Sequence, residues 1–399
     1  MSVLLFASLT TAFGGSADCT HIHGTEIDLF MRGNVISSPG IVPDTDCEQI
    51  NLPEGAVLAP AFIHANTNIG LTEVSMERST NDGGTGLGGN VHAGFSPADA
   101  YNPLSSLIPI TRIEGIGTVI VAPSGGRIAG QSAAFDLQGK TQAEALVKTS
   151  VAMIASAGGG SDHSRADGLY QLRELLDDAR LYRRQTRAFN SGKLRALSAD
   201  RLDLEALQPV LLGQLPLMIH ADRASEIEAL LRFAQTEDIR MILSGGAEAW
   251  MHAEALAEAN VPVLIDPLVY GIRNFNSIHA RPDNAAILEK AGVKVVIVNL
   301  GFESHNARKL RQVAGNAVRE GMTHQGAMDA ITVNVADVFG LQSHGRLGPG
   351  AHANVVAWSG DPLEISSFPL HIWIQGESIP LVSRQSLLLE KYRDLSGKD

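Results

Sequence analysis

The stretch LAPAFIHANTNIGLTEVS (58–75) delivers a polar cluster, His64-Ala65-Asn66-Thr67-Asn68, from an apolar run ending at Ile63. Two imidazoles spaced as Asn66 and Asn68 are, at the end of a strand, could share a metal ion. An amide oxygen is neutral and hard, and so a poor replacement for imidazole on a borderline-soft ion. It remains a good hydrogen-bond partner for a small molecule. His220 closes a second apolar run in LMIHADR (217–223), with Arg223 just beyond it. Glu248 and Trp250 open a helical stretch after SGG (244–246), and His305 and Arg308 follow the apolar run VKVVIVN (293–299).

Each of these has an ordinary structural reading. An acid such as Glu248 in a first helical turn favours the helix dipole, and Asn306 suits a helix cap. His220 could be a histidine merely hydrogen-bonded in place. The turn APSGGRIAGQS (122–132) could present backbone N–H groups to an anion, but is first a structural turn. His21 and His23 form an HxH in CTHIHG (19–24), ahead of the first β segments, and read as incidental.

The elements that must position these residues follow from periodicity. Residues 26–60 are short strands broken by Gly, Pro and Asp-Thr-Asp. GTVIVAPSGG (117–126) is a strand running into a Gly-rich turn, and VAMIAS (151–156) is another strand. ADGLYQLRELLDDARLYRRQ (166–185) spaces its apolar residues as a helix does. Strand and helix then alternate, with strands at 215–222, 239–246, 261–267 and 293–299, and the chain returns to strands after residue 353. Strands apolar at nearly every position belong to a parallel sheet covered on both faces. The expected class is α/β, a (β/α)8 TIM barrel, with an open doubly wound sheet as runner-up. The long Gly-rich segment 79–103 would be the loop after the first barrel strand, lying over the mouth.

Composition narrows the partners. The chain of 399 residues has net charge −12 and pI about 5.5, which argues against nucleic acid or an anionic membrane surface. The arginines of RLYRRQTR (180–187) lie on a helical pattern with acids nearby, as a solvated face does. No segment is long and apolar enough for an integral membrane span. An apolar stretch from Val3 to Phe13, followed by Gly15 and Ala17, resembles a signal peptide, although no Lys or Arg precedes it. It tips the expected location toward the periplasm or the exterior over the cytoplasm. Export would permit a disulfide between Cys19 and Cys47.

The order of parts resembles the amidohydrolase superfamily, in particular its imidazolonepropionase-like branch. The resemblance rests on APAFIHANTNIGL (59–71), on HNARKLRQVAGNAVREGMTHQGAMDAITVNVADVFGL (305–341) and on GRLGPGAHANVVAWSGDPLE (345–364), and covers the chain from about residue 27. It implies a barrel over 61–344 and a small composite β-sandwich from 26–60 plus 345–399, and the apolar N-terminal stretch makes 1–25 the expected leader segment. The resemblance also implies hydrolysis of C–N bonds by metal-bound hydroxide, and association into homo-oligomers. A Zn²⁺-type ion lowers the pKa of its water to about 7.

The ligand positions that the resemblance implies fall on Asn66, Asn68, His220 and Gly245, with a strand-eight acid near Asn299 to Glu303. His220 alone retains a ligand. The expectation is therefore a divergent member with no metal bound and no cofactor, keeping a small-molecule pocket lined by Asn66, Asn68, His220, Arg223, Glu248, His305 and Arg308. The alternative is an active hydrolase with Zn or another divalent metal in a mononuclear or relocated site anchored on His220. Such a site would draw on His64 and His305 with Glu303 or Asp266.

Overall fold

Apolar runs and amphipathic stretches alternate along the chain, and three sheets result. The computed structural model describes residues 19–38, 47–85, 89–157, 164–272, 274–299 and 304–393. The first strands are β1 (Cys19–Gly24), β2 (Ile27–Arg32), β3 (Val35–Ser37), β4 (Glu48–Asn51) and β5 (Val57–Pro60). The barrel sheet holds β6 (Phe62–Thr67), β7 (Ile116–Val121), β8 (Ile128–Asp136), β9 (Leu146–Ser156) and β10 (Leu217–Ala221). It continues through β11 (Met241–Gly245), β12 (Val263–Ile265) and β13 (Val295–Ile297). The last strands are β14 (Val355–Trp358), β15 (Pro369–Ile374) and β16 (Glu377–Ser378).

Around the barrel lie α1 (Leu107–Arg112), α2 (Gln142–Ala145), α3 (Arg165–Asn190), α4 (Arg201–Ala206), α5 (Gln208–Leu211) and α6 (Ala224–Glu237). They are followed by α7 (Ala253–Glu258), α8 (Asn284–Lys290), α9 (Leu310–Arg319), α10 (His324–Asp329) and α11 (Val333–Phe339). A further helix, α12 (Arg384–Arg393), ends the described chain.

The eight barrel strands pair in sequence order from β6 to β13 and form a nearly closed sheet. Alternate residues face opposite sides of it. Ile63, Ile120, Met218, Ile242, Leu264 and Val296 meet in the lumen. Phe62, Val119, Leu217, Ile219, Leu243 and Val263 face outward, against a layer that includes Leu172, Ile227, Leu230, Phe233 and Leu256 of the helices. Burial on both faces is why these runs are apolar at nearly every position. Between β13 and β6 the wall is completed by the junction of α10 and α11. The Ile63 N–H donates to the Ile331 carbonyl at 2.8 Å, and the Ile297 N–H to that of Ala330 at 2.9 Å. These bonds occupy groups that an open sheet edge would leave unpaired.

The sheet departs from an all-parallel barrel at one strand. β8 runs antiparallel to both β7 and β9, whereas the other neighbouring pairs are parallel. The segment 122–132, expected to be a turn only, turns and then becomes β8 from Ile128. Gly125 and Gly126 take φ of 106° and 72°, so the chain reverses at once and has no length for a helical crossover. Residues 89–103, expected above the mouth, lie against this hairpin. The His92 N–H bonds to the Ile128 carbonyl and the Gln131 N–H to that of Phe95, each at 2.9 Å.

The remaining strands make two four-stranded sheets, β3-β2-β1-β4 and β16-β15-β14-β5. Ile22, Met31 and Ile36 of the first share an apolar cluster with Val355, Ala357 and Trp373 of the second. The first sheet begins at Cys19, inside the segment 1–25 expected to be a leader. Cys19 and Cys47 are joined by a disulfide, at a sequence separation of 28 residues. Closing such a loop stabilises a fold by about 3–4 kcal/mol in the chain-entropy account.

Candidate functional site

The parallel strands all end at one rim of the barrel, where barrel chemistry is usually placed. β10 brings His220 there, paired in register with Ser156 of β9 and Ser244 of β11. Its imidazole side chain is 58% exposed, and Nε2 stands 3.5 Å from Oδ2 of Asp222. The hydrogen bond and charge of Asp222 raise the His220 pKa, against the opposing effect of burial. Burial opposes ionisation of Asp222, yet His220 and the Ala247 N–H hold its carboxyl below the usual range. That N–H donates to Oδ1 at 3.2 Å.

Gly245 explains how the pair fits. Its φ is 94°, and a Cβ built there would lie 2.6 Å from Cε1 of His220 and 2.7 Å from Oδ1 of Asp222. The absent side chain at Gly245 is thus the space in which His220 meets Asp222. Glu226, in the first turn of α6, lies behind the pair and is 7% exposed. Burial raises its pKa, although Arg165 Nε approaches its Oε2 at 3.4 Å. Two neighbouring carboxyls are therefore pushed apart, Asp222 toward the charged form and Glu226 toward the neutral one.

The other expected residues fare unevenly. Asn66 and Asn68 stand half-buried at the end of β6, four strands around the sheet from β10. Asn66 has φ 56°, where the β6–β7 register slips. Arg223 is exposed at the N-cap of α6. His305 is exposed and Arg308 half-buried in a short 3-10 segment, Ser304–Lys309, which contacts β6 and α1. Glu248 is 2% exposed, and both of its carboxylate oxygens are engaged by backbone N–H groups. Its Oε2 accepts the Ala224 N–H at 2.8 Å and its Oε1 the His279 N–H at 3.0 Å, so it ties two backbone segments together.

A relocated site around His64 also finds no support. His64 is 1% exposed, and Ile63 and Ala65 on either side of it belong to the lumen cluster. Alternation therefore turns His64 to the outer face, and burial lowers its pKa to about 4. Asp266 uses Oδ1 to accept the Leu268 N–H at 2.9 Å. Glu303 lies outside the described residues.

Among the described residues, two groups of His and Asp do place their ligand atoms within 4.8 Å of one another. One is His21, His23 and Asp28, the other Asp136, His344 and His352. Neither lies at the mouth. The sequence reading set the first aside as incidental and missed the second, whose members are far apart in the chain. Asp222, Gly245 and Glu226 were missed as partners of His220, although the spacing of Asp222 on the strand beyond His220 was a usable signal.

No protein-family model matches the chain. Its sequence is 26% identical over 413 aligned positions to a protein named amidohydrolase tasK from Hapsidospora irregularis, over 87% of this chain. The chain spans only 40% of that relative's length. In structure it resembles an amidohydrolase from Thermotoga maritima MSB8, with a TM-score of 0.78 and 24% identity over 88% of this chain and 94% of that one. A molinate hydrolase aligns with a TM-score of 0.54 and 14% identity, over 92% and 96% of the two chains. The chain therefore has an amidohydrolase-type fold, a nearly closed eight-stranded α/β barrel, and a sequence similar to that of an amidohydrolase.

Proposed function

We propose that the protein is an amidohydrolase-superfamily barrel of the imidazolonepropionase-like branch. It binds a small cyclic-amide-like or peptide-like molecule at the mouth, with little or no metal-dependent turnover. The observation that carries this reading is the exposed His220 imidazole, held by Asp222 in the space left by Gly245. The donors at the family's ligand positions do not fit a binuclear metal centre. Two are amides, one has no side chain, and the surviving imidazole is engaged by a carboxylate.

The chemistry left to this chain is protonic. Asp222 fixes the orientation of His220 and favours its protonated form, so the ring donates a hydrogen bond to a ligand carbonyl or carboxylate. Asn66 and Asn68 add amide donors and acceptors across the mouth. No helix among the described residues is long and apolar enough to cross a membrane, and a small-molecule ligand remains the expected partner. A second reading, one ion held by His220, is favoured by a single feature. Metal-ligating histidines commonly give their other nitrogen to a carboxylate, as His220 does to Asp222.

The test is thermal-shift and calorimetric screening of dipeptides, N-acyl amino acids and cyclic amides against wild type and His220→Ala. Ligand binding that is lost in the variant, in protein whose metal content is the same in both, supports the proposal. Metal that disappears in His220→Ala together with hydrolysis overturns it in favour of the second reading.

A further inference from the structure

The barrel lumen has a second polar end. In register, Ile128 at the start of β8 pairs with Ala155, near the rim, whereas Phe135 pairs with Leu146 at the opposite end of β9. Asp136, the last residue of β8, is therefore at the floor, where the chain segment leading into β14 docks. This aspartate is 1% exposed. Its Oδ1 accepts the Thr118 hydroxyl at 2.7 Å and the Asn354 amide at 2.8 Å. Its Oδ2 accepts the Gln375 amide at 3.3 Å.

Two imidazoles face this carboxylate. His344 Nε2 is 3.4 Å from Oδ1, and His352 Nε2 is 3.9 Å from Oδ2. The rings stand 4.5 Å apart between centroids. His344 is 3% exposed, and beyond its long 3.4 Å approach to Asp136 the buried Nε2 makes no hydrogen bond. Buried polar atoms without partners are rare in folded proteins, and each calls for an explanation such as an ion. The His344 Nδ1, by contrast, is 3.3 Å from the Ser343 hydroxyl. A ring engaged at Nδ1 by a polar neighbour and open at Nε2 is the usual setting of a metal-ligating histidine.

We propose that Asp136, His344 and His352 form a buried site for one divalent transition-metal ion of the Zn²⁺ type, at the barrel floor. Two imidazoles and a carboxylate are the donor set that such ions take, at about 2.0–2.2 Å per bond. Ligand atoms around such an ion stand roughly 3–3.5 Å apart. The distances of 3.4 and 3.9 Å therefore need only small movements. Thr118 and Asn354 hold Oδ1 and so orient the carboxylate. The ion would pin the segment leading into β14 to β8, which makes its role structural. The site is independent of the mouth reading, because no residue is shared.

His21, His23 and Asp28 make a weaker candidate. His21 Nε2 is already 2.6 Å from Asp28 Oδ1, and His23 is bonded to Gln49. That group serves as the control. The experiment uses the full chain, stripped with a chelator and then loaded with Zn²⁺ alone. A His23→Ala/His220→Ala double variant removes competing ligands while leaving the floor intact. The expected result is one equivalent of Zn²⁺ retained by the double variant, a rise of its Tm on loading, and an X-ray absorption signature of two imidazoles.

Adding His352→Gln should weaken Zn²⁺ binding by more than the ~10–100-fold that loss of an outer partner costs, and abolish the Tm rise. Failure of the double variant to hold an equivalent, or a spectrum without histidine, overturns the proposal. So does undiminished affinity in the variant carrying His352→Gln. Should that variant not fold, stoichiometry and spectrum on the double variant still decide.

Discussion

At the mouth, the His220 side chain is 58% exposed and Asp222 23%, and the pair meets at 3.5 Å. At the floor, His344 is 3% exposed and Asp136 wholly buried, and the pair meets at 3.4 Å. The residue types and distances are nearly the same, but the settings differ. Water competes for the His220–Asp222 contact at the mouth, so the pair there contributes little to folding. At the floor the charge has left water. It persists because Thr118, Asn354 and Gln375 surround it with donors. One barrel thus holds a histidine–aspartate contact in water at one end and out of it at the other.

The comparison breaks first on Asp136. Asp136→Ala removes the acceptor of the Thr118 hydroxyl and of the Asn354 and Gln375 amides, and the charge that faces two imidazoles, and should destabilise the protein by roughly 3–5 kcal/mol. Asp222→Ala at the mouth loses a solvent-screened ion pair and the acceptor of the Ala247 N–H, and should cost about 1–2 kcal/mol. Urea unfolding of both variants checks this, and equal losses would mean that burial does not separate the two ends.

His64 sharpens the comparison, because it is a buried histidine without a carboxylate partner. Burial lowers its pKa from 6.5 to about 4, so the folded state refuses a proton that the unfolded chain accepts. Its neutral form suits the fold above pH 6.5, and stability is lost as pH falls from there toward 4. The loss should amount to about 3 kcal/mol. Unfolding of wild type and His64→Leu at matched pH values measures it as the difference between two slopes. Parallel slopes would show that the folded chain takes up a proton at His64 as readily as the unfolded chain does.

Much of the barrel was legible because a strand buried on both faces must be apolar throughout, as residues 217–219 and 295–297 are. His220 was legible for the same reason, as the first polar residue to interrupt such a run near the rim. β8 was not, because Ser-Gly-Gly looks like the end of a strand and says nothing of a hairpin to follow. Gly245 was read through a resemblance as an empty ligand position and not as the space for His220, since that depends on a neighbouring strand. Glu248 had the composition of a ligand and the burial of a tie. Asp136, His344 and His352 carried no local pattern at all; only the return of the chain to the barrel floor assembles them.

Gly245→Ala tests the space directly. The residue sits at φ 94°, and its new Cβ would press on both members of the pair. Backbone strain of this kind costs on the order of 1–3 kcal/mol. The exposed imidazole can swing away, so the steric part should be small and the strain should dominate. The Tm should fall, and the His220 titration should move down toward 6.5 as Asp222 is lost to it. An unchanged titration would mean that the pair does not need the glycine.

The smallest expected effect is on Asp222→Asn, and it decides whether the mouth pair exists in solution. Asp222 raises the His220 pKa above 6.5, so the folded state holds the proton more tightly than the unfolded chain. That stabilisation is fully present below pH 6.5 and is lost as pH rises through the folded pKa. With the imidazole 58% exposed, solvent screening holds the contribution below about 1 kcal/mol. Stability is therefore a poor readout, and the ring itself is the right one. In Asp222→Asn the NMR titration midpoint of His220 should fall, while that of His352 stays where it was. A His220 midpoint that does not move would remove the carboxylate from the mouth and leave the two ends of the barrel with nothing in common but their residue types.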